Sequence, residues 1–176
     1  MTFDTDRLNL SDLTHEDAHF VLRLLNEPAF IAMIGDRPVR TPEDACGWID
    51  SGPAASYARH GFGLWRVSLK ANGEPIGICG LLKRETLECP DLGFAFLAAF
   101  WAQGFALESA RAVTVYARDV LRLTTLAAIA QPHNARSIHL LETLGFAAVG
   151  RTCLLPEQTD LMLFMCALGG VSAVVR

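Results

Sequence analysis

Apolar and polar positions alternate with period two over Leu8-Asn9-Leu10-Ser11-Asp12-Leu13, which predicts a half-buried strand. The period then changes. Phe20, Val21, Leu24 and Leu25 recur at helical spacing ahead of Pro28, and Thr14-His15-Glu16-Asp17 before them has the form of a capping box with Asp in the third position. Thr41-Pro42-Glu43-Asp44 repeats that start signal with a cap, a proline at the first helical position and acids at the positive end of the helix dipole. Ala45, Trp48 and Ile49 supply the buried face of this second helix. Strands are predicted over Phe62 to Leu69 and Pro75 to Leu82, joined by Lys70-Ala71-Asn72-Gly73-Glu74, whose Asn-Gly pair favours a hairpin. The stretches Gly35 to Arg40 and Gly52 to Gly61 read as loops.

The second half alternates strand and helix. Asp91 to Leu97 is an apolar strand, and a helix from about Ala106 to Leu121 carries Leu107, Ala110, Val113, Ala117 and Val120 on one side. Thr125 to Ala130 is the next strand, followed by a helix from about Asn134 that stops at Leu144-Gly145-Phe146. Asp160 to Met165 is the last predicted strand. Together these elements predict a single α/β (α+β) domain over residues 1–168, with a mixed, mostly antiparallel sheet of six to seven strands flanked by about four helices. Residues 169–176 form a small-residue tail.

Composition removes several function classes. A chain of 176 residues that is 51% hydrophobic buries roughly 70% of the surface its unfolded form exposes, so it needs neither disulfide nor structural metal to fold. With 19 acidic against 15 basic side chains and a net charge of -4, there is no electrostatic case for a nucleic-acid or anionic-membrane partner. Cysteines at 46, 79, 89, 153 and 166 are odd in number and form no C-x-x-C pair, which reads as reduced core thiols in a cytoplasmic protein. The opening Met1 to Arg7 has no basic and apolar run of a secretory signal. The uncharged stretch Leu92 to Leu107 spans 16 residues, short of the about 20 that cross a bilayer. High apolar content points to a homodimer whose interface the sequence leaves unassigned.

Candidate chemistry sits at Leu97-Ala98-Ala99-Phe100-Trp101-Ala102-Gln103-Gly104-Phe105-Ala106-Leu107-Glu108, where a strand ends, a small-residue loop turns and a helix starts. The unpaired N–H groups of a first helical turn bind anions, and Ala102, Gly104 and Ala106 let a bulky diphosphate reach the backbone without help from lysine. A glycine at a helix start also serves as a plain packing or capping device, so the loop gains weight from its context.

That context resembles the GNAT acetyltransferases, in particular the branch of ribosomal-protein N-terminal acetyltransferases of the Rim type. Thr5-Asp6-Arg7-Leu8 is similar to the branch's T-[DE]-R-L opening, and Pro75-Ile76-Gly77 and Leu92-Gly93-Phe94 follow in order. Trp101 to Glu108 is similar to its W-G-x-G-[YF]-A-x-E coenzyme A loop, and Asn134 to Phe146 to N-x-x-S-x-x-x-L-x-x-x-G-F. The resemblance implies a GNAT-like domain with acetyl-coenzyme A as co-substrate, no metal, and transfer of acetyl to a primary amine on a protein N-terminus or a small molecule.

It also implies a site. The diphosphate would lie on the backbone amides of Trp101, Ala102, Gln103, Gly104, Phe105 and Ala106, with the pantetheine along the strand edge at Phe96 and Leu97 and Asn134 and Ser137 facing it from the next helix. Ala102 departs from the family's glycine, and Leu141 stands where many members carry a proton-donating tyrosine. Acetyl transfer needs an uncharged amine, which at pH 7 costs about 1.4 kcal/mol for an α-amine of pKa ~8 and ~4.6 kcal/mol for a lysine. Asp91, with Glu88 behind it, is the candidate proton acceptor, an N–H near Phe96 or Leu97 the candidate oxyanion donor, and Ser137 the candidate donor to the leaving thiolate. His133, His139, Tyr57, Arg59 and His60 are secondary candidates around the acceptor entrance.

Two other functions compete. His15-Glu16-Asp17-Ala18-His19 fits the H-E-x-x-H zinc-hydrolase pattern, against which stand its place in a capped first turn, the charge of Asp17 and the lack of a motif for a third ligand. A non-catalytic acyl-coenzyme A-binding module would hold the same cofactor but release no thiol. Among acceptors, a protein N-terminus, an aminoglycoside, a polyamine and a small metabolite amine all fit the sequence equally.

Overall fold

The computed structural model describes residues 2–153 and 160–169. Its strands are β1 (Thr2–Asp4), β2 (Leu8–Asp12), β3 (Leu64–Leu69), β4 (Pro75–Leu82), β5 (Asp91–Phe96), β6 (Thr125–Ala130), β7 (Ala147–Thr152) and β8 (Leu161–Ala167). They form one sheet in the order β1-β2-β3-β4-β5-β6-β8-β7, antiparallel at every junction except the parallel β5/β6 pair. The helices are α1 (Ala18–Leu25), α2 (Pro28–Met33), α3 (Pro42–Ile49), α4 (Ala55–His60), α5 (Phe105–Asp119) and α6 (Ala135–Thr143). The class is the one expected, with eight strands and six α-helices among the described residues in place of six to seven and about four.

The additions have physical reasons. β1 is three residues long, too short for its periodicity to register, and it is held through Phe3, whose ring lies 5.2 Å from that of Trp65 and 5.4 Å from that of Tyr116. β7 is an edge strand exposed along most of its length, with small residues that carry no apolar alternation. The Gly52 to Gly61 stretch is not a loop. α3 runs on through a π-helical turn at Asp50–Ala54 that accommodates Pro53, and then into α4, which ends at Gly61 in the left-handed region (φ 75°). Residues 170–176 of the expected tail lie outside the described residues.

Two apolar clusters flank the sheet. One joins Trp65, Val67, Ile76, Leu81 and Phe164 to Val113 and Ala117 of α5. The other packs α1 and α3, through Val21, Leu24, Leu25 and Ile49, against Ile78 and Leu97. Start signals act as expected: Asp44 N–H donates to Thr41 Oγ1 at 3.1 Å, and Thr41 N–H to Asp44 Oδ2 at 2.9 Å. Gly73 closes the β3–β4 turn at φ 74°, its N–H donating to Leu69 O at 2.8 Å. Of the cysteines, Cys79 and Cys166 are buried, whereas Cys46 and Cys89 are half-buried and Cys153 is exposed, so the all-core expectation fails for three. No helix among the described residues is long and apolar enough to cross a membrane.

Because Phe3 is the chief apolar tie between β1 and the core, Phe3→Ala is expected to cost about 2 kcal/mol and lower Tm by roughly 5 °C. Thermal unfolding followed by circular dichroism checks this, and an unchanged Tm would show that β1 is held by its ladder alone.

Candidate active site

β5 and β6 share a single register pair, Asp91↔Ala127, next to which Ala127 N–H donates to Pro90 O at 3.0 Å. Beyond that point the two strands part. On its other side β5 stays fully paired with β4, from Leu82↔Asp91 to Gly77↔Phe96. An antiparallel ladder turns the polar groups of successive residues to alternate sides. Leu97 N–H donates to Ile76 O across that ladder at 3.0 Å, so Ala95 and Gly93 also face β4, and the N–H groups of Phe94 and Phe96 face the split. Phe96 O accepts a hydrogen bond from Trp101 Nε1 at 2.8 Å, which folds the following loop back onto the strand end. Phe96 therefore lies on the open edge as expected. Leu97 does not, because its amide is engaged by β4 and its side chain is fully buried.

The loop after β5 makes one 3-10 turn at Ala98–Phe100 and then reverses through two left-handed residues, Ala102 (φ 58°) and Gly104 (φ 83°). Trp101 N–H donates to Ala98 O at 3.2 Å, which removes this amide from the set expected to face a diphosphate. The first helical bond runs from Glu108 N–H to Gly104 O at 3.0 Å, so the amides from Ala102 to Leu107 have no acceptor among the described residues. Ala102, Gln103 and Gly104 are exposed, as an anion cradle requires.

A buttress holds this cradle. Arg7 Nη1 donates to Gln103 O at 3.0 Å, its guanidinium lies 4.5 Å from the Phe105 ring centroid, and its Nε meets Glu108 Oε2 at 2.7 Å. Glu108 Oε1 also accepts from Thr5 Oγ1 at 2.5 Å and from Arg7 N–H at 2.9 Å. Burial pushes the Glu108 carboxyl up, but the hydrogen bonds from Thr5 and Arg7 outweigh it and hold the group below the usual range. Thr5, Arg7 and Glu108 are thus site-shaping residues that spacing alone did not assign. Only the joint presence of Thr5-Asp6-Arg7-Leu8 and the Trp101 to Glu108 segment hinted at them.

Across the split, Asn134 caps α6, its Oδ1 accepting from Ser137 N–H at 3.1 Å. Asn134, Ser137 and Leu140 line the groove, while Leu141 is 1% exposed within the core, so the position of the absent tyrosine faces inward here. Arg136 places its guanidinium 4.8 Å from the Trp101 ring centroid and ties α6 to the loop. At the closed end of the split, Asp91 is 1% exposed and receives Arg84 Nε on both oxygens, at 3.0 and 3.1 Å. Burial raises its carboxyl pKa more than Arg84 lowers it. Glu88 is exposed and outside the groove, and offers only its carbonyl, to Lys83 Nζ at 3.2 Å.

Arg59, His60, His133 and His139 line the groove. Tyr57 does not: its hydroxyl donates to Leu64 O and accepts from Leu13 N–H at 3.1 Å, and burial pushes the phenol up. Of the H-E-x-x-H residues, His15 Nε2 meets Asp50 Oδ1 at 2.7 Å and Asp17 pairs with Arg66 at 2.6 Å. No group of three potential metal ligands gathers among the described residues. The groove itself has a volume of about 1360 Å³. Pockets for a single small ligand typically measure roughly 300–1,000 Å³, so this groove exceeds that range.

A model of the acetyltransferase (GNAT) domain matches residues 7–147. The chain belongs to the GNAT acetyltransferase family. It is 28% identical over 145 residues to YkkB of Bacillus subtilis, covering 80% of this chain and 82% of that protein. It is 32% identical over 133 residues to the FsC-acetyl coenzyme A-N(2)-transacetylase of Aspergillus fumigatus, covering 69% and 54%. Ribosomal-protein-S5-alanine acetyltransferase from Vibrio fischeri shares the fold at a TM-score of 0.78, with 16% identity over 95% of this chain and 96% of that one. The chain is therefore an acyltransferase of a family that uses acetyl-coenzyme A as co-substrate. The open edge of β5 and the unpaired amides after Trp101 suit the amide-rich pantetheine arm and the diphosphate of that molecule.

Ala102 holds a backbone conformation that costs an L-residue roughly 1–2 kcal/mol, more than the ~0.5–1 kcal/mol of chain entropy that alanine saves over glycine. Ala102→Gly should therefore raise the Tm of the ligand-free protein by about 2 °C. A fall in Tm in a calorimetric scan would contradict the left-handed geometry.

Proposed function

We propose that this chain transfers acetyl from acetyl-coenzyme A to a primary amine by direct attack within a ternary complex. The observation that carries the proposal is the split sheet, whose open β5 edge leads straight into the amide cradle at the start of α5. Bound acetyl-coenzyme A supplies a thioester for an uncharged amine to attack. The amides of Ala102, Gln103, Gly104, Phe105 and Ala106 hold the diphosphate, and the positive end of α5 adds to that hold. Phe96 N–H aligns the arm as an added strand, and the Phe94 amide, farther from the cradle and nearer Asp91, donates to the oxygen that gains charge. Asn134 presents the first turn of α6 to the groove.

Asp91 accepts the amine proton through water, and its raised pKa brings it closer to that of the amine. An α-amine suits such a weak base better than a lysine amine, by about 3 kcal/mol of deprotonation free energy at pH 7. Ser137, half-buried on the groove wall, donates to the departing sulfur. The Thr5-Asp6-Arg7-Leu8 opening and the tryptophan-led loop support membership of the Rim-type branch, as does the likeness of fold to the Vibrio fischeri enzyme.

Free-thiol release in the presence of an amine distinguishes this enzyme from a module that only binds acyl-coenzyme A. Asp91→Asn is expected to lower kcat about 100-fold near neutral pH while leaving the Kd for acetyl-coenzyme A unchanged. In the wild type, activity falls as pH drops toward the carboxyl pKa, which lies above the usual carboxylate value, and that limb disappears in the variant. Equal turnover in Asp91→Asn would remove Asp91 from the reaction.

A further inference from the structure

The charge lining the groove runs opposite to that of the molecule. The chain carries a net charge of -4, yet among the described residues five cations line the groove, Arg37, Arg59, Lys83, Arg84 and Arg136, against one carboxylate, Asp91, which Arg84 already neutralises. Coenzyme A phosphates account for one end only. Arg136 stacks on Trp101 beside the cradle. The other cations that can be placed by register lie at the far end. Lys83 and Arg84 follow Leu82, which pairs with Asp91, and five strand steps of about 3.3 Å separate Asp91 from Phe96, roughly 17 Å from the start of the cradle. Arg59 reaches the same end. It precedes Gly63, whose carbonyl accepts from Leu81 N–H at 3.0 Å, and Leu81 pairs with Leu92, one residue from Asp91.

Two of these cations are uncommitted. Lys83 Nζ is held by Leu87 O and Glu88 O, and Arg84 by Asp91, but Arg37 and Arg59 have no ion-pair partner among the described residues. Apolar surface from Phe30, Met33, Trp48 and Phe94 lies in the same groove. Resting on the acetyl-transfer reading of this site, we infer that the acceptor is a small amine that also carries a carboxylate and an apolar body, as an apolar α-amino acid does. Its amine lies at the Asp91 end of the groove and its carboxylate pairs with Arg59, and Arg37 is the second unpaired cation of the same lining. Polyamines and aminoglycosides bring several positive charges against this lining, and the like-charge repulsion in a partly enclosed groove selects against them. A protein N-terminus without a nearby acid leaves both arginines unmatched.

The test measures thiol release at saturating acetyl-coenzyme A for leucine, methionine and phenylalanine, each beside its carboxamide, with spermidine and a neutral peptide amide as further acceptors. A carboxamide lowers the pKa of the neighbouring amine, so chemistry alone favours the amides, and preference for the acids reports recognition. The acids are expected to show kcat/KM about tenfold higher than their amides, and Arg59→Gln to erase that ratio while leaving the Kd for acetyl-coenzyme A unchanged. Higher kcat/KM for the amides, spermidine or the neutral peptide overturns the inference, as does an unchanged acid-to-amide ratio in both Arg59→Gln and Arg37→Gln. Absence of thiol release with every amine contradicts the transfer reading instead. Thermal shifts of the coenzyme A complex then decide the acceptor: a larger shift with acid than with amide supports the inference, and equal shifts overturn it.

Discussion

β5 and β6 meet at one register pair and then diverge, and the rest of the site follows from that parting. A continuous ladder would pair the Phe94 and Phe96 amides and bury them under α5 and α6. Interrupted, it leaves main-chain donors lining a groove on an otherwise closed sheet, at a cost that water or a ligand must offset. The full β4/β5 ladder on the other edge keeps the open strand straight, so the donors are positioned before any ligand arrives. The same ladder assigns Leu97 to the scaffold and Phe96 to the groove, a distinction of one residue that composition could not make.

The split alone would offer a strand edge, and the cradle at its end depends on contacts a hundred residues apart in sequence. Glu108 gathers Thr5 and Arg7, and Arg7 in turn takes the Gln103 carbonyl, so that the amides of this loop are left to point outward. Such an arrangement explains how a left-handed alanine at 102 persists: surrounding hydrogen bonds over-determine the loop. It also explains how an acidic protein can hold a diphosphate, since dipoles and amides supply the local field in place of lysine.

Much of this was legible in the residues, and the failures are local. Periodicity located six of the eight strands and the four longest helices, and the Asn72-Gly73 turn and Thr41 cap have the geometry their chemistry requires. β1 and β7 escaped because three residues, or a mostly exposed six-residue run, carry no apolar alternation. The segment around Pro53 escaped because a π-helical turn tolerates a proline that an α-helix would reject. At the site, the loop and Asn134 were visible as motifs, whereas the engagement of the Trp101 and Leu97 amides, the Arg84 partner of Asp91 and the buttress of Arg7 and Glu108 exist only through tertiary contact. Tyr57 was a reasonable groove candidate by position, but the carbonyl of Leu64 and the amide of Leu13 claim its hydroxyl.

The central claim is that the parted strands and the loop after them receive acetyl-coenzyme A through main-chain donors. Amide hydrogen exchange, resolved by residue with and without saturating acetyl-coenzyme A, addresses it most directly. The account predicts new protection at Phe94, Phe96 and the amides from Ala102 to Ala106, with Leu97 and Trp101 already protected in the free protein. Protection confined to other segments, with the β5 edge and the start of α5 exchanging as before, would contradict it.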